Sequence, residues 1–172
     1  KVILVVGGSL GAKSINEAID AGLDLLTGKD VQLIWQTGKP YAEKAQNRAA
    51  GNRMVWANEF IPKMEYAYAA ADVVVARSGA ITVAELCVAK KPVIFVPYPF
   101  AAEDHQTVNA LQLVNKKAAM MIKDSEAGKK LVIMALELIK DEAMQQELVK
   151  NISPLGITQA DEKVAEEILK LI

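Results

Sequence analysis

The chain has 172 residues, 52% of them apolar and 24% charged, with a net charge of −1. That length suits one well-buried domain and is too short for two of ordinary size, so residues 1–172 are expected to form a single domain. The composition excludes a disordered chain, the near-neutral mixture of acids and bases argues against a nucleic-acid partner, and the lone Cys87 excludes an internal disulfide and fits a reducing compartment.

No apolar run approaches the roughly 20 residues of a membrane span, and no signal peptide is evident. The chain opens at Lys1, one residue before an apolar run and without an initiator methionine, and is expected to be the back half of a longer protein. Six short β runs are predicted, at about 2–7, 31–37, 54–57, 73–76, 92–97 and 118–122, several of them apolar on both faces as buried parallel strands are. Helical patterns fall between and after them, near 12–27, 40–50, 63–71, 80–90, 105–117, 125–140, 141–151 and 159–171. Cys87 lies inside the fourth of these and reads as core packing, while Lys116-Lys117 and Lys129-Lys130 read as solvated helix faces. Strand–helix alternation of this kind predicts a doubly wound parallel α/β sheet, Rossmann-like, with strand order 3-2-1-4-5-6.

Two strand-to-helix turns are rich in small residues: Gly7-Gly8-Ser9-Leu10-Gly11-Ala12 after strand one and Arg77-Ser78-Gly79-Ala80-Ile81-Thr82 after strand four. A helix start of this kind leaves backbone N–H groups unpaired and adds the positive end of the helix dipole, which together seat an anion. In the expected strand order the two turns face each other across the point where the sheet changes direction, so the pair suggests a diphosphate ligand. A nicotinamide or flavin dinucleotide fits poorly: G-x-G-x-x-G would place Val6 at its first glycine, and Ile34-Trp35-Gln36-Thr37-Gly38 lacks the acid that holds the ribose. A P-loop also fits poorly, because Ala12 stands at its second glycine and no strand ends in a magnesium-binding aspartate.

Ser78, Thr82 and Glu85 recur at i, i+4 and i+7 and so share a helix stripe. Ser78 is expected to cap the helix, Thr82 to offer its hydroxyl to a phosphate, and Glu85 to accept hydrogen bonds from the vicinal hydroxyls of a ribose. The same spacing also suits a capped helix with a solvated glutamate. After strand five, Pro97–Asn109 forms a loop beside the same crevice, in which Asp104 is expected to cap the next helix. His105 and Gln106 would then occupy its first turn, with Gln106 and Asn109 on one face for an uncharged part of the ligand. His105 is the chain's only histidine and reads as a surface or ligand-contacting residue; no histidine or cysteine cluster exists for zinc, and no cofactor is expected.

Gly-Gly-Ser-x-Gly-Ala, Arg-Ser-Gly-Ala-x-Thr-x-x-Glu and Asp-x-Gln-x-x-Asn-Ala, with Glu59-Phe60-Ile61-Pro62-Lys63-Met64 and Ala70-Ala71-Asp72 between them, resemble the MurG family of peptidoglycan N-acetylglucosaminyltransferases. The resemblance covers essentially the whole chain but only the carboxyl-terminal, donor-binding half of the family's two-domain GT-B architecture. It implies transfer of N-acetylglucosamine from UDP-N-acetylglucosamine to undecaprenyl-diphosphate-muramoyl-pentapeptide (lipid I to lipid II), peripherally on the cytoplasmic face of the bacterial inner membrane. It further implies that Ser9 lies near the donor diphosphate, that the backbone of Ile61 meets the uracil edge, and that Arg77, Ser78, Ala80, Ile81 and Thr82 surround the phosphates. Glu85 would hold the ribose, and His105 and Gln106 would sit near the transferred sugar. The catalytic residues, the lipid I site and the membrane contact are implied for the missing amino-terminal half, leaving this domain soluble and by itself inactive. Leu10 stands where the family usually has glutamine, and Lys90 where it usually has glycine. Two other functions stay open: a naturally separate donor subunit completed by an acceptor-binding protein, and a nucleotide-binding module without turnover.

Overall fold

The computed structural model describes residues 1–171. Six strands form one parallel sheet in the order β3-β2-β1-β4-β5-β6: β1 (Val2–Val6), β2 (Gln32–Gln36), β3 (Val55–Asn58), β4 (Val73–Ala76), β5 (Val93–Phe95) and β6 (Met120–Met121). This is the predicted order, with β1 and β4 adjacent and Val5 paired with Trp35 on one side and Val75 on the other. The outer strands are shorter than predicted: β5 stops at Phe95 and β6 keeps only two residues.

Alternate residues of each central strand feed opposite cores, which is why these strands are apolar throughout. Ile3, Val5, Val73 and Val75 pack on one face beneath α1 (Lys13–Ala21), α2 (Leu23–Thr27) and α7 (Ala127–Lys140), with Leu148 of α8 (Glu142–Ile152). Leu4, Val6, Val74 and Ala76 pack on the other beneath α4 (Met64–Ala70), α5 (Ala80–Ala89) and α6 (His105–Val114). The edge helix α3 (Lys39–Ala49) packs on β3.

The single helix predicted over 12–27 is broken at Gly22. The break lies under α7, where a β-carbon on Gly22 would come within 2.6 Å of Val132. Helix α5 ends at Lys90 with a left-handed φ of 54°, a backbone that favours glycine and that lysine adopts here at a cost of at most about 1 kcal/mol. The last helix, α9 (Ala160–Leu169), buries none of its residues and leaves Val164, Ile168 and Leu169 exposed.

Candidate functional site: a crevice between two helix starts

The turn after β1 is held rigidly from one side. Gly8 and Gly11 take left-handed backbones, with φ of 81° and 76°, and Gly11 N–H closes the turn on Gly8 O at 2.9 Å. The turn after β2 packs flush against it: a β-carbon on Gly38 would lie 2.3 Å from Gly11 N. Gln36 Nε2 donates to Gly8 O at 2.7 Å and to Glu59 O at 3.2 Å, so one buried amide ties the glycine turn to the loop after β3. Beneath it, Trp35 Nε1 donates to Asn16 Oδ1 and Asn16 Nδ2 to Thr37 O, a buried chain with each polar group satisfied. Helix α1 starts from this platform at Ala12 with no side chain capping its first N–H groups.

Helix α5 starts the same way. Its N-cap is Gly79, no side chain caps it, and its first internal bond is Val83 N–H to Gly79 O. Ser78 therefore does not cap the helix as expected. It is fully buried under α6, where its hydroxyl must find a partner, and it donates to Gln106 O at 2.7 Å. The N–H groups of Ala80, Ile81 and Thr82 are left open as a result. Gly79 has an ordinary φ of −62°, and a β-carbon there would meet nothing within 4 Å. Neither backbone strain nor packing explains this glycine.

Arg77 lines the crevice, but its guanidinium is given to the protein rather than left for a phosphate. Nη1 donates to Val96 O, Pro97 O and Asp124 Oδ1 at 2.9, 3.0 and 2.6 Å, and Nη2 donates to Ser14 Oγ at 3.1 Å. Ser14 Oγ in turn donates to Asp124 Oδ1 at 2.5 Å. Four segments of chain thus meet at one planar fork, a geometry lysine cannot supply.

In the loop after β5, Glu103 and Asp104 both have a φ of 51°. Asp104 holds the N-cap position of α6, but its left-handed backbone does not fold the carboxylate over the first turn. That carboxylate accepts from Thr107 Oγ1 at 2.6 Å and caps no backbone N–H, contrary to expectation. Asn109 also departs from its expected ligand role, its amide donating to Ser78 O at 3.1 Å. Gln106 Oε1 accepts from Tyr98 N–H at 3.0 Å, and its NH₂ group makes no hydrogen bond among the described residues. His105 is exposed, with Nδ1 at 2.7 Å from Ala102 O; because a carbonyl only accepts, Nδ1 is the donor of that contact, and Nε2 makes no hydrogen bond among the described residues.

The two uncapped helix starts and the β5–α6 loop enclose a crevice of about 1010 Å³ at the carboxyl ends of β1 and β4. Ser9, Gly79, Thr82, Tyr98, Phe100 and Gln106 line it. Of the other expected residues, Ile81 is exposed and His105 lies outside the lining. Glu85, on the outer side of α5, lines a second groove of about 770 Å³ between α4 and α5, with Tyr68 and Met64. Ile61 buries its side chain in the second core, 6% exposed, while its N–H and C=O make no hydrogen bond among the described residues. No cluster of three or more metal-ligating side chains, and no helix long and apolar enough to cross a membrane, occurs among the described residues.

The sequence contained no signal for Tyr68, whose hydroxyl donates to Glu85 Oε2 at 2.9 Å. Gln36 was visible only as a residue that is not an acid.

Residues 2–168 match the family model of the glycosyltransferase family 28 C-terminal domain. Over 174 residues the chain is 48% identical to the UDP-N-acetylglucosamine–N-acetylmuramyl-(pentapeptide) pyrophosphoryl-undecaprenol N-acetylglucosamine transferase of Parabacteroides distasonis, covering 100% of this chain and 47% of that protein. The enzyme of the same name from Flavobacterium psychrophilum is 44% identical, again over 100% of this chain and 47% of its own. The chain therefore spans about half the length of the curated relatives it matches. Among solved structures, MurG of Acinetobacter baumannii superimposes with a TM-score of 0.85 at 31% identity, covering 98% of this chain and 49% of that one. A Staphylococcus aureus MnaA–UDP co-structure shares the fold, with a TM-score of 0.71 at 17% identity over 99% and 45% of the two chains.

Proposed function

The chain belongs to the glycosyltransferase family 28 C-terminal domain family, and on that premise we propose that it is the donor-binding half of an enzyme moving N-acetylglucosamine from UDP-N-acetylglucosamine to lipid I. One observation carries this reading: two uncapped helix starts, at Ala12 and Gly79, border one crevice at the sheet's switch point. Their open N–H groups and dipoles suit a diphosphate, and they sit where negative charge develops on the departing uridine diphosphate.

The remaining donor contacts follow from the geometry and the family. Ser9 and the Ala80–Thr82 N–H groups would hold the diphosphate, with Arg77 and Ser78 supporting that loop from behind. The unpaired N–H and C=O of Ile61 offer one donor and one acceptor to a base edge, as uracil requires. Glu85 would take the ribose, and Gln106 with the open Nε2 of His105 the transferred sugar. Lipid I, the general base that deprotonates its hydroxyl and the membrane contact are assigned to the other half of the enzyme; no nucleic acid is involved.

Calorimetric titration of the chain with UDP, ADP and UDP-N-acetylglucosamine tests the reading. Both uridine ligands should bind and ADP should bind much more weakly; equal affinity for ADP and UDP would sink the uridine assignment. The chain alone should bind donor without transferring sugar, because transfer needs a base within about 3 Å of the acceptor hydroxyl. Robust lipid II synthesis by residues 1–172 alone would overturn the placement of catalysis in the other half.

A further inference from the structure

Helices α4 and α5 do not pack tightly together; the 770 Å³ groove runs between them, walled by Met64, Tyr68, Ala69, Ala84, Val88 and Ala89. Two hydrogen-bonded ties join its sides. Lys91 Nζ donates to Ala71 O at 2.8 Å and to Ala69 O at 3.4 Å. Tyr68 Oη donates to Glu85 Oε2 at 2.9 Å.

The partners of the second tie are unequal. Tyr68 is 7% exposed and belongs to the core formed with Leu4, Val74 and Leu86, so its ring is fixed by packing. Glu85 is exposed on the surface of α5. A glutamate in that setting has several rotamers open to it and loses that freedom when it takes a ligand. Burial, and then the adjacent Glu85 charge, hold the Tyr68 phenol well above its ordinary range, so it stays a donor across neutral pH. The rigid partner therefore dictates where the mobile one points.

We propose that Tyr68 is a positioning residue for Glu85, its core-anchored phenol holding the carboxylate ready for the vicinal hydroxyls of a ribose. This deepens the donor reading and rests on it. A carboxylate offers about four lone-pair sites. Tyr68 occupies one on Oε2, leaving the other on Oε2 and both on Oε1 for the 2′ and 3′ hydroxyls. The bond removes conformations that binding would otherwise have to eliminate, which is affinity through preorganisation.

Tyr68→Phe deletes the hydroxyl and keeps the ring in the core. Its affinity for UDP should fall about three- to tenfold, the scale of freeing one long side chain. Its affinity for 2′,3′-dideoxy-UDP should equal that of the unaltered chain, and in a Glu85→Ala background it should cause no further loss for UDP. Unchanged UDP affinity, equal losses for both ligands, or a loss that adds in full to that of Glu85→Ala would each overturn the positioning role; the last two are what a general structural defect produces. Failure of the unaltered chain to bind UDP at all would instead remove the donor reading, and the inference with it.

Discussion

A β-carbon on Gly11 would lie 2.0 Å from the carbonyl oxygen of Thr37, while the Gly11 backbone already has a left-handed φ of 76°. Gly11→Ala therefore meets two penalties, a left-handed L-residue at about 1–2 kcal/mol and overpacking at about 1–3 kcal/mol. The thermal midpoint should fall by several degrees, at about 2–4 °C per kcal/mol for a domain of this size. An unchanged midpoint would mean that the glycine turn is not clamped by the β2 corner.

Gly79→Ala should behave in the opposite way. An ordinary φ and open space around its β-carbon predict a thermal midpoint at or slightly above that of the unaltered chain. Affinity for UDP should fall at least about tenfold, because a methyl group would stand where the diphosphate approaches the α5 start. Full retention of UDP affinity would place the ligand elsewhere.

Glu85→Ala should weaken UDP binding by about 10- to 100-fold, since a hydrogen bond to a charged group contributes about 1.5–3 kcal/mol. The fold should survive, because Glu85 is exposed. The decisive comparison uses 2′,3′-dideoxy-UDP, which lacks the hydroxyls in question. A loss of the same size for that analogue would remove the ribose role.

Arg77 should matter first for stability. Arg77→Met leaves the Asp124 carboxylate, 21% exposed at the side chain, with Ser14 Oγ as donor but without its cationic partner, and leaves Val96 O and Pro97 O without the Arg77 donor. Breaking such a partly buried pair should cost about 2–4 kcal/mol in denaturant unfolding. Adding Asp124→Asn should recover part of that loss. A double variant whose loss equals the sum of the two single losses would show that the residues are not coupled.

Asp20 on α1 provides a pH test of the clasp to α3. Its carboxylate accepts from Tyr41 Oη and pairs with Lys44 Nζ, both at 2.7 Å, with Arg48 Nε at 3.4 Å. Burial, the largest single influence, pushes its pKa up; the hydrogen bonds from Lys44 and Tyr41 and the charges of Lys44 and Arg48 together outweigh it and hold the pKa below the usual range. A group depressed on folding contributes stability above its unfolded pKa, near 4, and loses that contribution as pH falls through the folded value. The stability of the unaltered chain over Asp20→Asn should therefore be fully present at about pH 6 and shrink below about pH 4. A difference independent of pH would assign the clasp to shape rather than charge.

Sheet order and the place of the crevice were legible in the residues themselves, because they depend on local and repetitive properties. Runs such as Val2–Val6 and Val73–Ala76 are apolar on both faces, which suits only strands covered on both sides, and the handedness of strand–helix–strand units leaves few orders for six of them. Glycines at strand ends mark turns for reasons internal to a few residues. What those turns do with their side chains was decided by the tertiary structure. Ser78 gives up the helix cap for Gln106, 28 positions away; Arg77 gives its fork to Asp124, 47 away; and Glu85 is held by Tyr68, 17 away. A polar group pairs with whichever partner the packed elements bring within about 3 Å, and that distance is set only when helices from separate parts of the chain settle on the sheet.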